Sequence, residues 1–207
     1  LDAVRELGAS LRGESLDVLV HNAGVWMTHK TRTVDDFETT WAVNHLAPFL
    51  LTSLLLDKLL ERPASRVLNV SSIGHRAGRI RFDDVNLDQG YDGIAAYCQS
   101  KLANVMFTRE LARRTRGTSL VTHALHPGVI RTKLLNQTGF QNQAAQTPAA
   151  GARTSVHLAT DPAVAAGSGH YYADRRRVAA MATDPATDQR LWEMSVRQTR
   201  APVGWEG

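Results

Sequence analysis

Cysteine is almost absent: Cys98 stands alone in 207 residues. One thiol excludes an internal disulfide framework and a cysteine-built zinc cage, and it fits a reducing, cytoplasmic setting. Long apolar runs are absent as well. The most apolar stretch, residues 47–60, is interrupted by Asp57 and Lys58, so no membrane span is expected. Nor is there a strong charge imbalance. The net charge is +4, and basic residues gather in short clusters: Arg76/Arg79/Arg81, Arg113/Arg114/Arg116 and Arg175–Arg177. No aromatics interleave with them, so they read as solvated surface, and nucleic acid is not an expected partner. Internal repeats and linkers are missing too. With 43% hydrophobic and 21% charged residues, residues 1–207 read as a single domain large enough for a real core. The first residue is Leu1 rather than Met, and helix-like sequence follows at once. A missing N-terminus is expected, with any targeting signal in it unreadable.

What is present alternates between two patterns. Short, nearly continuous apolar runs at 16–20, 66–70 and 119–125, with a last one at 169–173, read as strands buried on both faces. Between them lie segments of helical period. Thr33–Val34–Asp35–Asp36 matches a capping box and predicts a helix start, with Phe37, Trp41 and Leu46 on its apolar face. Pro48 falls inside that pattern and should free the carbonyl of Asn44, leaving a kink and a ready water site. Residues 49–60 are apolar on much of their surface and suit a core or a subunit interface. Residues 74–94 are polar and predict a long surface excursion of little regular structure, with His75 solvated. Thr147–Pro148 opens a helix through Ala159, and residues 185–199 make a final one holding Leu191, Trp192 and Met194. Strand and helix in alternation predict a parallel α/β sheet of about four strands.

Three strands end in residues suited to a ligand. Asn22–Ala23–Gly24 follows the first; small residues there let a ligand approach the backbone, although a plain turn fits equally well. Ser71 and Ser72 follow the second, and His126–Pro127–Gly128 the third, leading into Val129–Thr132. Residues 133–146, with Leu134, Leu135 and Phe140, suit a flap over an apolar ligand or a plain loop. The helix that follows the excursion has Asp92 as its N-cap and Gly117 as its stop. It carries Tyr97 and Lys101 four residues apart, hence on one face. A phenol serves as a proton donor or acceptor near neutrality only if its pKa falls by about three units, or about 4 kcal/mol. An ammonium about 4 Å away at an effective dielectric near 20 supplies about that much. Alone, the spacing is common.

Together, Asn22–Ala23–Gly24, Asn44, Ser72, Tyr97-x-x-x-Lys101 and Pro127–Gly128 resemble the short-chain dehydrogenase/reductase family in order and setting. The runs 43–52 and 96–104, and the long gap from Ser72 to Tyr97, resemble its retinol dehydrogenase-like branch. The resemblance implies the C-terminal part of a Rossmann-like, doubly wound parallel sheet. It also implies an NAD(P)-dependent oxidoreductase that moves a hydride between a nicotinamide cofactor, NADP or NAD with a lean to NADP, and a small hydrophobic carbonyl or alcohol. By position, Tyr97 would be the general acid/base, Lys101 would lower its pKa and hold the ribose, and Ser72 would bind the substrate oxygen. Asn44 would hold a water linking Lys101 to solvent. Asn22, Ala23, Gly24, Pro127, Gly128, Val129 and Thr132 would lie along the cofactor. The helices at 49–60 and 97–116 resemble a pair through which homo-oligomers form.

Departures from the family pattern matter as much. Its first strand and its Thr-Gly-x-x-x-Gly-x-Gly turn, which wraps the pyrophosphate, are not in this sequence. His21 replaces the first Asn of the Asn-Asn-Ala-Gly loop, and Ser71 adjoins Ser72, from which strand alternation turns it away. A second reading is therefore an inactive remnant that acts only as an interaction module. A serine hydrolase lacks its G-x-S-x-G elbow at Ser72, the branch-like runs argue against an epimerase or dehydratase, and Cys98 reads as inert. Without the family's first strands the run at 16–20 has an unpaired apolar edge. The 207-residue chain alone is expected to be poorly soluble or unstable; a monodisperse sample with a cooperative urea melt would count against this.

Overall fold

The computed structural model describes residues 1–137 and 145–202. In chain order, α1 (Asp2–Ser10) leads to β1 (Val18–His21). Next come α2 (Thr39–Trp41), a π turn (Ala42–Leu46) and α3 (Ala47–Leu60), wound as one continuous helix. β2 (Arg66–Val70), a 3₁₀ turn (Ile73–Ala77) and α4 (Gly93–Arg114) follow. The chain continues through β3 (Val121–His126), α5 (Lys133–Gln137), α6 (Pro148–Thr160), β4 (His170–Ala173), β5 (Arg176–Val178) and α7 (Pro185–Thr199).

The sheet runs β1-β2-β3-β4-β5, parallel through β4, with β5 antiparallel. Alternation along β2 sorts its two faces. Val67 joins Phe49, Leu50, Phe107 and Trp192 from α3, α4 and α7. Leu68 and Val70 join Leu125, Leu158 and Val164 on the α6 side. Helices on both faces of a parallel sheet make a Rossmann-like α/β fold. The fifth strand was too short to read in the sequence. Asp174 and Arg175, with φ of 46° and 62°, form the two-residue turn that folds it back onto β4, and all three of its residues are exposed.

The structure corrects several expectations. Thr33–Asp36 starts no helix. Asp36 sits in the left-handed region at φ 64°, and Thr33 N–H donates to the Phe37 carbonyl at 2.9 Å, closing a turn. The helix begins at Thr39 instead, capped by the buried Glu38 carboxylate, which accepts from Thr40 N–H at 2.8 Å and Trp41 N–H at 2.7 Å. Pro48 is met by more than a simple kink: the coil widens into the π turn just before it, and Ala47 N–H donates to the Ala42 carbonyl five residues back. The excursion at 74–94 has little regular structure, as expected, yet it is no mere surface segment. Ile80, Val85 and Leu87 are buried, and His75 has no exposed surface at all.

Two further points concern surfaces. The helix spanning Thr39–Leu60 has 22 residues, and an 18-residue window of it has mean hydropathy 1.2, long and apolar enough to cross a membrane; 61% of that window is buried inside the fold, as for a core helix. Asp57 and Lys58 do not shorten it, because residues 39–46 extend it at the other end. α3 and α4 both pack against α7 of the same chain; Trp192 packs edge-on against Phe49 at 4.8 Å. Among the described residues β1 pairs only with β2, and Val20 on it is 39% exposed.

The loop after β1 is locked to the start of α4 through Gly93, where a Cβ would press into the Met27 carbonyl. Gly93→Ala should therefore cost about 1–3 kcal/mol in a urea melt. Ile94→Ala, one residue on and 60% exposed, should cost less than about 0.5 kcal/mol.

Candidate active site

The site forms at the carboxyl ends of β1, β2 and β3, against the first turns of α4. Asp92 caps α4 by accepting from Ile94 N–H at 2.8 Å, and Tyr97 and Lys101 then project from one face. Strand alternation separates the two serines. Ser71, buried on the α4 side, donates its hydroxyl to the Lys101 carbonyl at 2.7 Å and pins helix to strand. Ser72 opens toward the cavity, accepts from Gly74 N–H at 3.2 Å, and shares the surroundings of Gly74 with the Tyr97 ring.

Lys101 is only 4% exposed. Its Nζ donates to the Val70 carbonyl at 2.9 Å and lies 5.6 Å from the centroid of the Tyr97 ring. Burial disfavours the ammonium and pulls its pKa down to about 8. Burial pushes the Tyr97 phenol above its ordinary value, and the Ser72 hydroxyl beside it opposes that rise.

The Asn44 side chain bridges two elements. Its Oδ1 accepts from Val25 N–H at 2.8 Å, and its Nδ2 donates to the Val25 carbonyl and to Ser100 Oγ, both at 2.9 Å. The side chain is a clamp between the loop after β1 and α4, with its polar atoms engaged by protein. Gly24 lies against it. A Cβ there would stand 3.3 Å from Asn44 Oδ1 and 3.4 Å from Lys101 Nζ, so the glycine keeps the ammonium approachable. Asn22 and Ala23 are exposed at the end of β1.

Gly128 turns the chain after β3 with φ 97°, a conformation that favours glycine. Residues 129–131 then pair with Gln146, and Thr132 stands exposed at the rim, its Oγ1 accepting from Leu135 N–H at 3.4 Å. The cavity these elements enclose measures about 900 Å³, with Trp26, Ile73, Val129, Leu134 and Leu135 among its apolar walls. All the candidate residues except Asn44 line it. Phe140 lies outside the described residues. Cys98 is buried in the cavity wall.

Sequence reading missed Trp26, whose indole stacks on the Tyr97 ring at 4.6 Å and 11°. It also missed Tyr171 and His75, which both reach the Ser72 carbonyl from the side. A short apolar loop with one tryptophan carries no periodic signal, and the other two meet Ser72 only through folding.

The cavity fits the nicotinamide–ribose end of a dinucleotide. It offers the Lys101 ammonium beside Gly24, and His126 in its wall has a buried Nδ1 with no hydrogen-bond partner among the described residues. Nothing in the chain supplies the glycine-rich turn for a pyrophosphate.

A family model for short-chain dehydrogenases matches residues 2–143. Retinol dehydrogenase 12 of Bos taurus is 43% identical over 191 residues, covering 88% of this chain and 60% of that protein. Retinol dehydrogenase 11 of Homo sapiens is 40% identical over 197 residues, covering 91% and 62%. This chain therefore spans about three-fifths of the length of these relatives. The crystal structure of an uncharacterized protein from Mycobacterium paratuberculosis aligns with a TM-score of 0.77 at 33% identity, over 98% of this chain and 74% of that one. Motif order, sheet topology and these likenesses agree, and the chain belongs to the short-chain dehydrogenase family, similar within it to the retinol dehydrogenases.

Proposed function

We propose that this chain carries the catalytic part of an NAD(P)-dependent oxidoreductase acting on a hydrophobic carbonyl or alcohol. The observation that carries the reading is the convergence of Ser72, Tyr97 and Lys101 in one largely apolar cavity. The cofactor, when bound, supplies or accepts the hydride. The chain's own residues manage one proton and the geometry. Tyr97 is the general acid/base, giving its phenolic proton to the carbonyl oxygen in reduction and taking it back in oxidation. Ser72 donates its hydroxyl hydrogen to the same oxygen, fixing its position between the two hydroxyls. Lys101 meets the nicotinamide ribose, and its charge brings the Tyr97 pKa down once the site is filled. Asn44 holds the loop that carries Asn22, Ala23 and Gly24 at the cofactor's side. Residues 127–132 close the nicotinamide end.

The relatives' names suggest a retinoid-like alcohol or aldehyde, and the apolar walls suit such a chain. We read the residues 1–207 as one domain, since every described strand joins one sheet. A cytoplasmic site rests on the lone buried thiol. Pairing of copies would have to use surface that α7 leaves open. A second reading is a non-catalytic interaction module.

Titration of the chain with NADPH and NADH, followed by nicotinamide fluorescence, separates the two. Saturable binding, lost in the double variant Tyr97→Phe/Lys101→Ala, is expected; a folded sample without binding would leave the interaction module. The same titration tests the lysine. Its pKa is lowered to about 8, so it is charged below that pH and neutral above it. If the cofactor binds the charged form, Kd should be flat below pH 8 and weaken about tenfold per pH unit above it. Lys101→Met should bind weakly with no such slope.

A further inference from the structure

The serine that faces the substrate is held from behind by an arrangement that the chemistry above does not use. The Ser72 carbonyl accepts from three donors: His75 N–H at 3.1 Å, His75 Nδ1 at 2.6 Å and the Tyr171 hydroxyl at 3.2 Å. His75 and Tyr171 are both buried, and their rings lie 4.6 Å apart. The tautomer of His75 follows from its other contact. Met181 N–H can only donate, and it meets His75 Nε2 at 3.1 Å. Nε2 is therefore the acceptor and Nδ1 carries the hydrogen, which it gives to Ser72. Burial lowers the His75 pKa, which keeps the ring in this neutral form.

The hydroxyl of Ser72 is constrained at the same time. Its oxygen accepts from Gly74 N–H, so its own hydrogen must point elsewhere, toward Tyr97 and the cavity. Main chain and side chain of one residue are thus fixed by groups from the 3₁₀ turn, from β4 and, through His75, from the segment at 181. Ser72 needs such support because β2 ends at Val70, and the residue lies beyond the last rung of the ladder.

We propose that His75 and Tyr171 are positioning residues that aim the Ser72 hydroxyl at Tyr97 and the reacting oxygen. The inference rests on the oxidoreductase reading for its catalytic consequence, although the clamp itself can be observed without turnover. His75 and Tyr171 touch neither substrate nor cofactor in this scheme; they act through Ser72.

The test follows the ¹³Cζ resonance of Tyr97 through its titration in the full chain, assigned with Tyr97→Phe. The Ser72 hydroxyl favours the phenolate, so Ser72→Ala should raise the Tyr97 pKa. Tyr171→Phe and His75→Leu should each raise it too, and should raise it no further when Ser72 is already alanine. His75→Asn, whose Nδ2 stands where Nδ1 stood, should restore the wild-type value. Removing the Tyr171 phenol has no direct ionic effect on Tyr97, because burial raises the Tyr171 pKa and keeps it protonated while Tyr97 titrates. If a variant unfolds before Tyr97 titrates, its ¹³Cζ shift at neutral pH reports the same contact. In turnover, Tyr171→Phe should lower kcat about tenfold with cofactor Kd unchanged. An unmoved Tyr97 in both single variants, or shifts that add to that of Ser72→Ala, would overturn the clamp. Shifts as expected in a chain that never turns over would retain the clamp and reject the oxidoreductase reading. Turnover with Tyr97 unmoved would do the reverse.

Discussion

Burying an ammonium is costly unless it is paired or hydrogen-bonded, and the centre of this molecule is arranged around the burial of Lys101. The seam between α4 and β2 supplies what it needs. The Val70 carbonyl accepts from Nζ, and Ser71 fixes the Lys101 main chain one turn of contact away. These bonds join the helix that carries Tyr97 to the strand that carries Ser72, so the support of one charge also sets the distance between the two hydroxyls. A pKa drawn down to about 8 shows that the protein acceptors offset the desolvation only in part. An anionic or polyhydroxylated ligand beside Gly24 would complete that compensation, which is a physical reason for the site to bind one.

The same seam explains why polar groups crowd an otherwise apolar interior. Asn44 reaches across to Ser100, and Ser100 Oγ donates to the Tyr97 carbonyl at 2.7 Å. Asn69 Nδ2 donates to Thr108 Oγ1 at 2.9 Å. The Asn44 bond ties the π turn to α4, and the Asn69 bond ties β2 to it. The helix is thus a spine, and the loops that end β1 and β2 are referenced to it rather than to one another.

Much of this was legible because its causes are local. The run Arg66–Val70 forms a strand over those same residues, Asp92 caps the helix it was expected to cap, and Thr147 and Pro148 open α6. Their signals lie within a few residues of their effects. The misreadings have distant causes. Thr33–Asp36 has the pattern of a cap, but Glu38 wins that role because its buried carboxylate is also met by the Tyr91 hydroxyl at 3.2 Å, from far along the chain. His75 sits among polar residues and reads as solvated, whereas Met181 and Tyr171 enclose it from the other end of the sequence. The stacking of Trp26 on Tyr97 has no local signature either.

The π turn before Pro48 has a consequence for phase. Trp41 and Leu46 are five residues apart, yet both have no exposed surface. Ordinary helical winding advances about 100° per residue, so one extra residue in the coil rotates everything before it by about that angle relative to everything after. Upstream of the turn the buried side is set by Trp41; downstream it is set by Phe49 and Leu50. Asn44 lies inside the wider coil, where the two settings meet, and its amide can face the loop at Val25 while Trp41 before it and Leu46 after it stay in the core. The aim of that amide is therefore a matter of registration along the helix axis, and restoring a uniform α-helix by removing one residue would turn a well-placed hydrogen-bonding group into a misdirected one without changing its identity.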